Sequence, residues 1–434
     1  MDSILNIQDK FNEADSIKSY EYNAYLPTSG SNLNTPGTIT IHIESQDEFY
    51  HPRRSYLLVE VELVKAAAGA RYTTASDIAL CNNGIMHLFS NAKYEIAGQE
   101  IENVNNPGIA GVLMGAAKFP FDYSAGAGLM QCWAPNTGDS QVIDTKGYGA
   151  RKKYIIAKSV PVGTFSFIIE LENVFGFAED YGKVIYGMRQ KLTLVRKGDN
   201  DAIYRATAAG AGKVKLTKIA WMMPRVLPSD AAKAKLYKMI ESKAKIDVGF
   251  RMRQCNVAGI SENATSFDWR LGVRTAPEKP RHILIALQEG RSDNQEKNTS
   301  NFDHLKVTQM SVVLNDTKYP GRDVTADFAK HQFIEYYQMF NSFAQDYYGL
   351  DPLTSRNFMD PLTYKTLFPI FYFDVSKQSE RFNQSVVDVT VRMRFGGNGM
   401  PKHVVAHALI ISDRRMIFKS DGKKMNIESY TTAE

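Results

Sequence analysis

The chain has 434 residues, a net charge of +5, and 44% hydrophobic and 11% aromatic residues, which is enough apolar material for packed cores in two or three domains and too much for a disordered chain. The charge is mildly basic and spread along the chain, which excludes a nucleic-acid-binding tail made from a block of like charges. The aromatics are 22 Tyr and 23 Phe against 3 Trp, a balance suited to sheets and extended interfaces.

Residues 1–35 are polar, with Pro27, Ser29, Gly30 and Ser31, and read as an N-terminal arm ordered by a neighbour. Period-two alternation begins at Thr38-Ile39-Thr40-Ile41-His42-Ile43. Leu57, Val59, Val61 and Leu63 then share one face of a strand whose other face carries Glu60 and Glu62. A hairpin signal runs from Asn91 to Ile101, followed by a helix-like stretch from Gly108 to Lys118. Gly126 to Gly149 is rich in small and polar residues and reads as a long loop hanging from a sandwich. Strand pattern returns at Phe165–Leu171 and Lys191–Val195, and Val214 to Trp221 closes a first domain, 36–228. Pro224 and Pro228 mark its boundary. Ser229 is placed to cap a connecting helix from Asp230 to about Ser242, within a connector of 229–244.

The second domain, 245–426, runs through the same order of elements, leaving a tail of 427–434. Its strands are predicted at Trp269-Leu271-Val273 and Ile283-Ile285-Leu287, with a hairpin at Met310–Tyr319. The charged stretch Glu289 to Ser300 reads as a surface loop. A long aromatic helix is predicted from Asp327 to Tyr348, with Phe333, Tyr336 or Tyr337, Phe340, Phe343 and Tyr347 on one stripe and Gly349 as its C′ residue. Phe371-Phe373-Val375, Val387–Phe395, His403–Ile411 and Met416–Phe418 supply the remaining strands. Sequence identity between the halves is low, so the repeat is one of element order. Many short strands with long loops argue for an all-β chain of two antiparallel sandwiches. Periodicity leaves open whether these are eight-stranded jelly rolls or immunoglobulin-type sandwiches.

The residues offer little chemistry. Cys81, Cys132 and Cys255 are far apart, odd in number and without a CxxC pair, and read as reduced, buried thiols of a protein made inside the cell. The N-terminus has no basic and apolar leader pattern, so secretion is not expected. No apolar run approaches the roughly 18 residues needed to span a bilayer. Ala209-Gly210-Ala211-Gly212-Lys213-Val214 resembles a phosphate loop only superficially, because Thr207 and Val214 stand where the motif needs Gly and Ser/Thr. His403 and His407 are about 13 Å apart if both lie on a strand, too far for one metal, and His42, His87 and His331 read as core or surface histidines. Glu60 and Glu62 read as solvated or interfacial. Arg251/Arg253 and Arg392/Arg394 are paired on strands and could face packaged nucleic acid, acids of a neighbouring subunit, or solvent. No catalytic, cofactor-binding or metal-ligating residue is assigned, and no cofactor is expected.

Several stretches in shared order carry a family resemblance. They are Asn82–Asn91 followed by Tyr94–Glu102; Phe175-Gly176-Phe177 with Asp180-Tyr181; Leu192–Lys197; Trp221–Pro228; and Arg251-Met252-Arg253-Gln254-Cys255. Pro277–Arg281, Phe373–Arg381 and Ile411–Arg414 complete the set. From about Tyr20 to Asn426 the chain resembles the hexon-like double jelly-roll major capsid proteins of polinton/Maverick and adintovirus-type elements, in the lineage of adenovirus and tailless-phage capsids. The resemblance implies two tandem jelly rolls with short helices in the connecting loops. It implies a pseudo-hexameric homotrimer that tiles an icosahedral shell around double-stranded DNA, in contact with neighbouring capsomers and with penton or minor capsid proteins. DNA contact would be non-specific at most, and a membrane partner is left open. The expected location is the virion capsid, assembled inside the host cell. Two other readings are weighed against it: a β-sandwich glycan-binding or receptor-attachment protein, and a sandwich-fold carbohydrate lyase or hydrolase. The last needs converging carboxylates that the sequence does not offer.

Overall fold

In the computed structural model the described residues are 16–28, 32–44, 47–67, 69–138, 145–271, 279–351, 359–377, 387–397, 399–422 and 425–429. Eight strands of the first half are β1 (Ile17–Tyr25), β2 (Gly37–Ile43), β3 (Tyr56–Lys65), β4 (Phe89–Ile96), β5 (Gln99–Asn105), β6 (Thr164–Glu170), β7 (Gln190–Arg196) and β8 (Gly212–Pro228). Eight of the second half are β9 (Lys245–Ile260), β10 (Ser266–Leu271), β11 (Lys279–Glu289), β12 (Val307–Leu314), β13 (Thr317–Tyr319), β14 (Phe371–Asp374), β15 (Val389–Phe395) and β16 (Val404–Ser420).

The pairing decides the architecture. In the first half β1 and β3 flank β8, and β6 flanks β3. The facing sheet runs β2-β7-β4-β5. The second half gives β9-β16-β11-β14 and β10-β15-β12-β13. Numbered within each half, both are 1-8-3-6 over 2-7-4-5, all antiparallel. This interleaving of early and late strands is a jelly roll and not an immunoglobulin-type sandwich. Short strands at Phe49–Tyr50 and Ile185–Tyr186 lengthen the first roll, and Met425–Ser429 adds to β16.

Several expectations change. Part of the expected arm is β1, hydrogen-bonded to β8 from Ile17↔Pro228 to Tyr25↔Trp221; residues 1–15 lie outside the described residues. The two closing strands expected at His403–Ile411 and Met416–Phe418 are one 17-residue strand, β16, because polar Ser412-Asp413-Arg414-Arg415 remains paired with β9. Gly126 to Gly149 is not all loop: Ala127–Met130 and Lys146–Lys152 are helical, with 139–144 outside the described residues.

Helices fill the long connections. α1 (Pro107–Lys118) follows β5, α2 (Asp230–Glu241) joins the rolls, and α3 (Ile334–Tyr348) crosses the second roll. Ser229 caps α2 by accepting from Ala232 N, and Gly349 ends α3 in the left-handed region at φ 65°. α3 starts later than the predicted Asp327, because Asp327 instead bridges to Gln332 and caps Ala329 N and Lys330 N. Its buried stripe is Tyr336, Phe340, Phe343, Ala344 and Tyr347. The Tyr336 hydroxyl accepts from Met310 N at 2.8 Å and donates to Val324 O at 2.8 Å, pinning helix to β12. Tyr336→Phe leaves that buried amide unpaired and is expected to cost about 1–3 kcal/mol, read as a lowered melting temperature of the intact chain.

Candidate functional site

The most organised polar assembly is the seam between the rolls, where β5 and a short helix, Gly176–Asp180, pack against β9. Aromatic packing fixes the helix. Phe175 and Phe177 lie 5.9 and 5.8 Å from the Tyr94 ring, which also meets Trp221 edge-on at 6.0 Å. Gly176, between them, lets the backbones touch: a Cβ there would sit 1.7 Å from the Arg251 carbonyl oxygen. The Glu102 carboxylate then joins three segments. It accepts from Gly176 N at 3.1 Å, Phe177 N at 3.0 Å and Arg253 N at 2.8 Å, so one side chain of the first roll satisfies the helix N-terminus and a strand amide of the second.

Charge is balanced inside this joint. Arg253 is 1% exposed. It donates to Asn173 O at 2.9 Å and to the Glu179 carboxylate, which also receives Lys118 Nζ at 2.9 Å and the hydroxyls of Tyr347 and Tyr348 at 3.0 and 2.9 Å. Burial opposes ionisation of Glu179, but Arg253 and Lys118 outweigh it and hold the carboxyl at about 2. Burial dominates at Glu102 and pushes it up to about 7, against the pull of Arg253 and the three amides. One shell out, Arg251 grips Asp180 through Nε at 3.0 Å and Nη2 at 2.5 Å, and its guanidinium lies 3.7 Å over the Tyr347 ring. Arg414 of β16 donates to Ile101 O at 2.7 Å and Glu100 O at 3.1 Å.

A second contact is made by the loop between β11 and β12. Gln295 receives Gly212 N at 2.8 Å and donates to Gly212 O at 2.9 Å and Asn200 Oδ1 at 2.7 Å. Ser300 Oγ donates to Asn82 O at 2.5 Å. Arg291, Gln295, Asn298, Thr299 and Ser300 are all buried. The expected surface loop Glu289–Ser300 is thus interior at these positions and exposed at Ser292, Asp293, Glu296 and Lys297; Gln295 and Ser300 are satisfied by the first roll, and Arg291 by Asp303 of its own roll.

Arg253 is buried and Arg251 half-buried, and both are engaged with acids of the first roll. Arg392 and Arg394 do remain exposed. Glu60 and Glu62 pair with Lys218 at 3.2 Å and Arg71 at 2.8 Å. The Ala209–Val214 stretch is a turn, Gly210 at φ 72°, leading into β8. All three cysteines are buried and unbridged. His87 and His407 are buried at the seam, whereas His403 and His331 are exposed. Among the described residues no cluster of His, Cys, Asp and Glu could hold a metal ion, and no helix is long and apolar enough to cross a membrane. Three of the stretches that carry the family resemblance, Asn82–Asn91, Phe175–Tyr181 and Arg251–Cys255, meet at this one seam.

A model of the double jelly roll-like domain matches residues 139–416, more than half of the chain. The chain belongs to the double jelly roll-like family. A chain of the Sputnik virophage, solved by cryo-EM, superposes on this double jelly roll with a TM-score of 0.63 at 10% identity, covering 99% of this chain and 92% of that one. The mavirus major capsid protein gives 0.57 at 10% identity, with coverages of 98% and 93%. A chain of the PBCV-1 virus capsid gives 0.54 at 10%, with coverages of 98% and 100%. At such identities the likeness is one of fold. No curated protein matches the chain.

Proposed function

We propose that this double jelly roll is a major capsid protein of the polinton/Maverick kind, which assembles as pseudo-hexameric homotrimers tiling an icosahedral shell around double-stranded DNA. The observation that carries the proposal is the pair of rolls with one strand order, tied by a buried, charge-balanced seam. Three copies of two like lobes approximate a hexagon, and the outline serves a lattice only if the two lobes keep a constant angle. Glu102, Arg253 and Gly176 supply that constancy. The fold likeness to a mavirus major capsid protein and to a PBCV-1 capsid chain points the same way. Ile17, Tyr20 and Tyr22 of β1 leave an exposed apolar patch beside an open strand edge. Such a patch suits contact with another subunit or a minor capsid protein. The reading gives the chain no catalytic role and places it in the virion.

The test is the absolute mass of the purified protein by light scattering. With a subunit of 48.7 kDa, a species of about three times that mass that survives dilution, as an obligate assembly does, is the expected result, followed by hexagonal arrays in electron micrographs. A stable monomer at micromolar concentration overturns the trimer.

A further inference from the structure

Beyond Glu102 the seam holds a cavity of about 180 Å³ that opens at one side, lined by His87, Lys197 and Asp201 from the first roll and Gln288, Arg291 and His407 from the second. His87 is 1% exposed and His407 7%. Each has a buried ring nitrogen without a hydrogen-bond partner: Nε2 of His87 and Nδ1 of His407. Gln288 fixes the state of His407. Its amide nitrogen donates to Thr299 O at 2.6 Å and Asn301 O at 2.9 Å, so its oxygen faces His407 Nε2 at 3.1 Å as an acceptor. The ring therefore carries its hydrogen on Nε2 and a bare lone pair on Nδ1.

No carboxylate is left over to receive a second proton's charge. Asp201 accepts from Lys197 Nζ at 2.6 Å on one oxygen and Asp293 N at 2.7 Å on the other. Arg291 is taken by Asp303 through Nε at 2.9 Å and Nη2 at 2.5 Å. His403 stands at the exposed rim. Protonating both buried rings thus adds two charges, neither with a free carboxylate beside it, to the inner end of a space that already holds Lys197 and Arg291.

We propose that this cavity is an acid-sensitive latch: protonation of His87 and His407 parts the two rolls at this end of the seam. Burial first, then Lys197, depresses both imidazoles, with Asp201 opposing, to about 3 for His87 and about 4 for His407. A solvated imidazole titrates near 6.5. Between about 6.5 and those values the parted state binds more protons than the closed one, so closure is fully stable above that window and weakens as pH falls through it. Each histidine contributes up to about tenfold per pH unit to the opening equilibrium. A role in releasing the contents of a shell rests on the capsid reading; the latch itself is a property of the single chain and is tested on it.

The buried thiol of Cys81 is a reporter, since Sγ donates to Asp201 O at 3.2 Å and the next residue receives Ser300 of the second roll. Its labelling by dithiodipyridine, normalised at each pH to the unfolded chain, is measured from pH 7 to 5. In the unaltered protein the rate is expected to rise about tenfold or more per unit below 6.5, while the far-UV circular dichroism of the chain does not change. His407→Gln, which retains an N–H toward Gln288, should lessen the slope, His87→Gln with His407→Gln should abolish it, and the rim variant His403→Gln should leave it unchanged. A slope unaltered in both His407→Gln and the double variant overturns the latch. So does loss of the far-UV circular dichroism over the same pH range, which would mean global unfolding.

Discussion

Arg253→Gln is expected to destabilise the chain by about 3–5 kcal/mol, because it removes one partner of a buried ion pair and leaves the other charge only partly compensated. Glu179 would retain Lys118 and two tyrosine hydroxyls but lose the guanidinium that overcomes its burial. Glu102, already pushed up to about 7, would lose the nearest cation as well. The measurement is the urea midpoint of the purified chain. The companion variant Glu179→Gln with Arg253→Gln removes both charges and should cost less than the sum of the two single changes, as coupled neighbours do. A loss under about 1 kcal/mol, within the range of a surface pair, would show that the seam does not depend on this ion pair.

Gly176→Ala is expected to be comparably severe, for a steric reason. A methyl group there meets the Arg251 carbonyl oxygen at 1.7 Å. The obstacle is backbone, so no side-chain rotation relieves it. The helix Gly176–Asp180 would have to withdraw from β9, taking with it the Glu102 hydrogen bonds and the Arg251–Asp180 pair. A loss on the order of 3–5 kcal/mol follows, seen as poor soluble yield and a lowered melting temperature. Gly249→Ala is the control on β9 itself, where a Cβ meets nothing within 4 Å. It should be close to neutral. Equal behaviour of the two variants would remove the close approach from the account of the joint.

Alternation of the kind in Leu57–Leu63 and Val389–Phe395 was readable as strands because each carries its own buried and exposed faces. α2 and the stripe of α3 are readable for the same local reason, whereas α1 is buried nearly all round. The seam is not readable. Arg251 and Arg253 alternate like an ordinary wet strand face, and their acids, Asp180 and Glu179, lie 71 and 74 residues away. Nor does composition distinguish the buried part of Glu289–Ser300 from a surface loop, since its polar groups are met by polar groups of both rolls in place of water. β1 reads as an arm because 1–35 is polar and interrupted by Pro, Gly and Ser; both its faces are largely exposed, and its backbone pairing ties it to β8. The one hint of the seam was that stretches far apart in sequence carried the resemblance together.

Both rolls close by pairing their first strand with their last: Ile17 with Pro228, and Lys245 with Lys419. On a ribosome adding roughly 5–20 residues per second, β1 waits on the order of 10–40 s for β8 to be made, and β9 waits almost as long for β16. Through that interval the half-finished sheets present open edges to every neighbouring nascent chain, and pairings so distant in sequence form slowly even afterwards. Abundant synthesis of this protein therefore sets folding against aggregation, and its yield in a cell should depend on chaperone supply and growth temperature more than on the stability of the finished fold.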